Sequence, residues 1–146
     1  MNLPGRFSRG FTLIELMVVT AVVAIASAGV VFALGDSSQT QLDREAVRLT
    51  ALLESARAQS RASGVPVRWR ATPGGFVFDG LPPRTLPENW LQASTTAVGP
   101  AVLRLGPEPL IGRQEVALAR QGDPTRVVRV ATDGLRPFAV QPMGAP

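Results

Sequence analysis

The sequence predicts an α+β chain: one long N-terminal helix, apolar in its first half, with an antiparallel β-sheet head packed against its second half. Three observations carry this. No charged residue lies between Leu16 and Leu34. Leu42, Ala46, Leu49, Leu53 and Ala56 then recur at steps of four and three, the spacing of one helix face. Beyond Gly64 the pattern changes to alternation at period two, cut repeatedly by proline and glycine.

A chain of 146 residues has room for one modest domain once the apolar segment is set apart. It contains no cysteine and no histidine, which excludes disulfides, thiol catalysis and histidine-ligated metal sites. All 15 basic residues are arginine, against 11 acids, for a net charge of +4. That mild excess does not by itself argue for nucleic acid.

The first element is the apolar run that begins at Phe11. Leu16 to Leu34 as a helix is roughly 28 Å long, close to the ~30 Å hydrocarbon core of a bilayer. Arg6 and Arg9 precede it, so the N-terminus is expected to stay cytoplasmic and the remainder to be exported. Glu15 is the anomaly, since a charged group at the bilayer centre costs about 2.5–3.5 kcal/mol even on the lenient insertion scale. Two plainer readings compete. A secretory signal peptide is supported by the small-x-small pattern Ala26-Ser27-Ala28, but Glu15 interrupts its apolar region and the run continues past it. A simple membrane anchor leaves Glu15 unexplained.

Gly35-Asp36-Ser37-Ser38 reads as a polar break, and a second helical stretch is expected from about Thr40 to Ser63. Thr40-x-x-Asp43 and Ser38-x-x-Gln41 are capping signals for it. Asp43, Arg44, Glu45, Arg48, Glu54, Arg57 and Arg61 lie off the apolar stripe. They read as a solvated face, with contact to neighbouring subunits as the other reading. Glu45–Arg48 and Glu54–Arg57 at i,i+3 are expected to contribute tenths of a kcal/mol each. Gly64 closes the helix and Pro66 prevents its continuation.

Val65, Val67, Trp69 and Ala71 alternate with Pro66, Arg68 and Arg70, as in a strand with one buried face. Pro73-Gly74-Gly75 turns the chain into a partner strand at Phe76-Val77-Phe78. The proline-rich stretch from Leu81 to Pro100 reads as an irregular loop. Ala101 to Leu105, Glu115 to Arg120 and Arg126 to Ala131 are further strands, and Thr132-Asp133-Gly134 a hairpin turn into a last strand from Leu135 to Val140. Pro137 makes that strand an edge.

No catalytic constellation is found. Asp79 and Glu88 flank the proline-rich loop but read as exposed turn residues, and Trp69 and Trp90 as core or loop anchors. Asp123, Asp133 and Glu115 are scattered, so no metal and no cofactor are expected.

Arg9-Gly10-Phe11-Thr12-Leu13-Ile14-Glu15-Leu16 resembles the processing signature of type IV pilins and pseudopilins. The resemblance implies a type IV pilin-like fold and cleavage by a prepilin peptidase between Gly10 and Phe11, with methylation of the new amine on Phe11. It also implies that Glu15 pairs with the N-terminal amine of a neighbouring subunit. Glycine before the cut suits a tight protease cleft, and two charges in lipid are tolerated when paired and costly alone. Glu45-Ala46-Val47-Arg48-Leu49, Leu52 to Arg57, Gly64 to Val67 and the closing segment Val128 to Leu135 are similar to the GspH/FimT group of minor pilins and pseudopilins.

By this resemblance residues 1–10 are a leader peptide, 11–34 a transmembrane and filament-core helix, 35–63 its periplasmic continuation and 64–146 the β-rich head. The expected localisation is the bacterial inner membrane, single-pass, with the head in the periplasm and later in a periplasmic pseudopilus. The implied role is that of a minor pseudopilin of a type II secretion system, placed at or near the pseudopilus tip. Its partners would be other major and minor pseudopilins, the prepilin peptidase, the inner-membrane assembly platform and secreted substrates. The alternative is a FimT-like minor type IV pilin that captures DNA, with Arg126, Arg129 and Arg136, plus Arg68 and Arg70, touching phosphates. Against it, these arginines are spread along the chain and aromatic residues for base stacking are few.

Overall fold

The computed structural model describes residues 11–99 and 101–141, with the backbone alone for residues 28–38. The chain divides into two compact units, Met1–Ser37 and Ser38–Pro146.

One α-helix, α1 (Leu13–Ser63), contributes residues to both units. The polar break expected at residues 35–38 does not interrupt it. The glycine there costs helix propensity, about 1 kcal/mol, but no proline removes a backbone donor. Ser38 and Thr40 therefore do not start a second helix, and the Gln39 amide donates to Asp43 one turn on, at 3.1 Å. The helix ends where expected: Gly64 takes a positive φ of 71° and donates its N–H to Ser60 O at 2.9 Å.

In the second unit the stripe Leu42, Ala46, Leu49, Leu53 and Ala56 is buried in full and joins one core with residues of both sheets. The strands are β1 (Val67–Thr72), β2 (Gly75–Asp79), β3 (Thr95–Val98), β4 (Val102–Gly106), β5 (Gln114–Arg120), β6 (Asp123–Thr132) and β7 (Ala139–Gln141). They form two antiparallel sheets rather than the single one expected, ordered β2-β1-β4 and β3-β5-β6-β7. β1 alternates as read, with Val67 and Trp69 buried and Arg68 and Arg70 exposed, although Val65 lies outside it.

Three local readings change. The stretch 81–100 contains β3, a short Thr95–Val98 strand that pairs with β5. The tight hairpin lies between β5 and β6, at Gln121-Gly122, where Gly122 has φ 89°. Thr132-Asp133-Gly134 instead opens a longer loop before β7, which is only three residues long. The Asp133 carboxylate accepts the N–H groups of Leu135 at 2.9 Å and Arg136 at 2.7 Å, and Gly134 N–H donates to Thr132 Oγ1 at 2.9 Å. These side-chain acceptors organise the loop in place of a two-residue turn.

Those backbone donors, Arg136 N–H first and Leu135 N–H next, hold the Asp133 carboxyl below its ordinary value of 3.8. A depressed folded-state pKa stabilises the fold above the unfolded value and is lost as pH falls through the folded value. Acid unfolding midpoints below about pH 4 should therefore depend on this loop. Asp133→Asn is expected to flatten the pH dependence of stability there, as followed by circular dichroism.

Gln114 joins the sheets. Its side-chain amide accepts Arg104 N–H at 2.7 Å and donates to Arg104 O at 2.9 Å, which mimics one rung of a β-ladder on the free side of β4. Gln114→Ala is expected to lower the unfolding free energy by about 1–2 kcal/mol in a urea titration, because both backbone groups lose a partner.

The charge band on α1 is more than a solvated face. Glu45 is only 1% exposed; it accepts Arg48 Nη1 at 3.1 Å and Leu91 N–H at 2.6 Å, while Arg48 Nη1 also donates to Asn89 O at 2.9 Å. Arg57 is 3% exposed, and its Nη2 donates to Pro109 O at 3.2 Å and Gly134 O at 3.3 Å. Glu54 accepts Phe138 N–H at 2.9 Å and lies 3.6 Å from Arg57. Each Glu–Arg pair thus fastens a loop of the head to the helix. Burial removes these pairs from the class of exposed i,i+3 pairs, where tenths of a kcal/mol apply.

Trp69, Phe76, Phe78 and Trp90 form an aromatic cluster, with Phe76 and Trp90 centroids 4.6 Å apart. Trp90 therefore anchors the proline-rich loop to the core, as its sequence setting suggested.

Candidate assembly site at the N-terminus

Leu13 is the first residue of α1, which makes Thr12 the N-cap. Thr12 Oγ1 accepts Glu15 N–H at 3.3 Å, and Thr12 O accepts Leu16 N–H at 3.2 Å. Glu15 occupies the third helical position, so Thr12-Leu13-Ile14-Glu15 is a capping-box sequence set directly before an apolar run. The carboxylate lies in the first turn, where the helix dipole favours negative charge by about 0.3–1 kcal/mol. Thr12 is absent from the site residues expected from the sequence, although the Thr-x-x-Glu spacing carries its signal.

Around this turn the side chains are apolar and uncovered. Phe11 is 80% exposed, and Leu13, Ile14, Leu16, Met17, Val18, Val19, Val22, Val23 and Ile25 are exposed as well. The hydroxyls inside the run are internally satisfied: Thr20 donates to Leu16 O and Met17 O at 3.0 Å each, and Ser27 to Val23 O at 2.8 Å. Such back-bonding lets a hydroxyl sit on an apolar helix without asking the medium for a partner. Among the described residues no helix is long and apolar enough to cross a membrane. The side chains described there end at Ser27, and the expected span continues to Leu34 beyond them. Gly10, on the other side of the expected cleavage bond, lies outside the described residues.

The remaining candidates do not converge. Asp79 is held by Arg70, at 3.2 and 3.4 Å. Arg68 and Arg70 lie on β1 of one sheet, Arg126 and Arg129 on β6 of the other, and Arg136 in a loop 3.8 Å from Asp133. Among the described residues no group of three or more His, Cys, Asp or Glu could hold a metal ion.

The prokaryotic N-terminal methylation motif family matches residues 5–31, which include Gly10, Phe11 and Glu15. Type II secretion system protein H of Escherichia coli (strain K12) is 46% identical to this chain over 61 residues. The first match spans only the N-terminal part of the chain. The second covers 40% of this chain and 36% of that protein's length, so it leaves most of both chains unmatched. No solved structure matches. The α-helix followed by antiparallel sheets is an α+β, pilin-like arrangement.

Proposed function

We propose that the chain is a minor pseudopilin of a type II protein secretion system, a structural protein without enzymatic activity. In this reading prepilin peptidase cleaves between Gly10 and Phe11 and methylates Phe11. Residues 11–34 anchor the chain in the inner membrane, and the head works in the periplasm at or near the tip of a pseudopilus. The partners are other pseudopilins and the inner-membrane assembly platform, with exported folded proteins as cargo.

The observation that carries the reading is the place of Glu15, in the first turn of an exposed apolar helix and inside the matched methylation motif. The helix dipole offsets only about 0.3–1 kcal/mol of the cost of a charge in lipid, a cost that reaches about 2.5–3.5 kcal/mol at the bilayer centre and is smaller for Glu15 near the end of the span. The shortfall favours a state in which the carboxylate meets a positive charge. Cleavage before Phe11 creates such a charge on every subunit, close to every Glu15 of a staggered neighbour. The lone subunit then carries a penalty that assembly relieves.

The test is the chemical nature of the mature terminus together with secretion. Protein recovered from the native host is expected to begin with N-methylated Phe11, read by mass spectrometry of the terminal peptide. Deletion of the gene is expected to trap folded exoproteins in the periplasm. A mature terminus at Gly29, which follows Ala26-Ser27-Ala28, would mean an ordinary signal peptide and end the proposal.

A further inference from the structure

The outward face of the three-stranded sheet carries an arrangement that folding alone does not explain. Arg68 on β1 stands directly opposite Arg104 on β4, and both are exposed. Directly opposed side chains on neighbouring strands have Cβ atoms about 4.5–5.5 Å apart, where like charges destabilise the sheet. Asp79 stands opposite Arg68 on the other side, yet its carboxylate engages Arg70 instead. Among the described residues no hydrogen bond or ion pair engages the Arg68 or Arg104 side chain.

The surroundings restrict what could meet this pair. Free backbone on the outer side of β2 is taken up where Phe76 N–H donates to Glu88 O at 2.9 Å and where Gly75 bridges to Asn89. The outer side of β4 is closed at Arg104 by the Gln114 amide. At these positions an added strand finds no backbone partners, so a binding partner meets the face through side chains. In the next row Arg70 is flanked by Val77 and Val102, the latter half exposed. The rings of these strands, Trp69, Phe76 and Phe78, all point into the core, so no aromatic surface is offered for base stacking. Guanidinium forks beside aliphatic side chains match carboxylates interleaved with aliphatic residues.

We propose that this face, centred on Arg68 and Arg104, docks an acidic, aliphatic segment of a partner protein. The segment's carboxylates neutralise the opposed arginines while its aliphatic side chains cover Val77 and Val102. The proposal concerns the head alone and stands whether or not the N-terminal segment is processed.

The test uses the full chain in detergent micelles and a fluorescent peptide of alternating Glu and Val, titrated by anisotropy at low and physiological salt. Binding is expected, and Arg68→Gln with Arg104→Gln should weaken it at least about tenfold, while Arg126→Gln with Arg129→Gln changes it less than about twofold. Without peptide, Arg68→Gln alone should raise the thermal midpoint, because it removes a like-charge contact. Equal peptide binding by the first double variant would overturn the proposal, as would no binding at low salt. A fall in the midpoint would make the pair structural. Tighter binding of duplex DNA through the same two arginines would mark the face as a nucleic-acid surface instead.

Discussion

Glu45→Ala is expected to lower the unfolding free energy of the head by about 3–5 kcal/mol, the range for removing one partner of a buried ion pair. The carboxylate is enclosed, and it serves both Arg48 and the backbone of Leu91. Its loss leaves Leu91 N–H without this acceptor, removes the countercharge of Arg48 and opens a void beneath the proline-rich loop. Glu45→Gln keeps an acceptor oxygen for Leu91 and is expected to cost less than the alanine variant. Urea titrations of the two variants, followed by tryptophan fluorescence, read the difference, since Trp90 adjoins the same anchor point. A loss below about 1 kcal/mol for Glu45→Ala would place the residue with exposed pairs after all.

Glu15→Ala is expected to abolish incorporation into the filament while leaving insertion and leader cleavage intact. Removing the carboxylate removes the penalty of the lone subunit, so the membrane form is no less stable, but the charge that assembly would pair is gone. Thr12 continues to cap the helix through its hydroxyl, which keeps the first turn in place. The measurements are sheared-filament content, mature-terminus mass and secretion in a strain lacking the native copy. Filament content equal to wild type would refute the pairing role given to Glu15. Thr12→Val is a useful companion: it removes the cap at a cost of about 1 kcal/mol while keeping the acid, and should weaken assembly without abolishing it.

The N-terminal segment and the helix face of the head were legible because their signals are local. The uncharged run and the spacing from Leu42 to Ala56 each lie within a few turns of chain. So did the alternation of β1, whose buried Val67 and Trp69 matched the pattern. Glu45 and Arg57 were misread for the opposite reason. Their spacing to Arg48 and Glu54 is that of ordinary surface pairs, and the groups that bury them are remote. Leu91 lies 46 positions from Glu45, and Gly134 lies 77 from Arg57. β3 escaped for the same reason: four residues after a run of prolines acquire strand character only through pairing with β5.

Local chemistry along the chain was thus enough to place the helix, the apolar side chains of its first turns and the matched methylation motif with Glu15 inside it. Helix propensity, capping and apolar runs act between near neighbours. Folding in three dimensions set the rest: the division into two sheets, the fastening of loops by buried charges and the opposition of Arg68 to Arg104. Those depend on strand register and on which remote backbone groups meet a side chain, and both are settled when distant segments close on a common core.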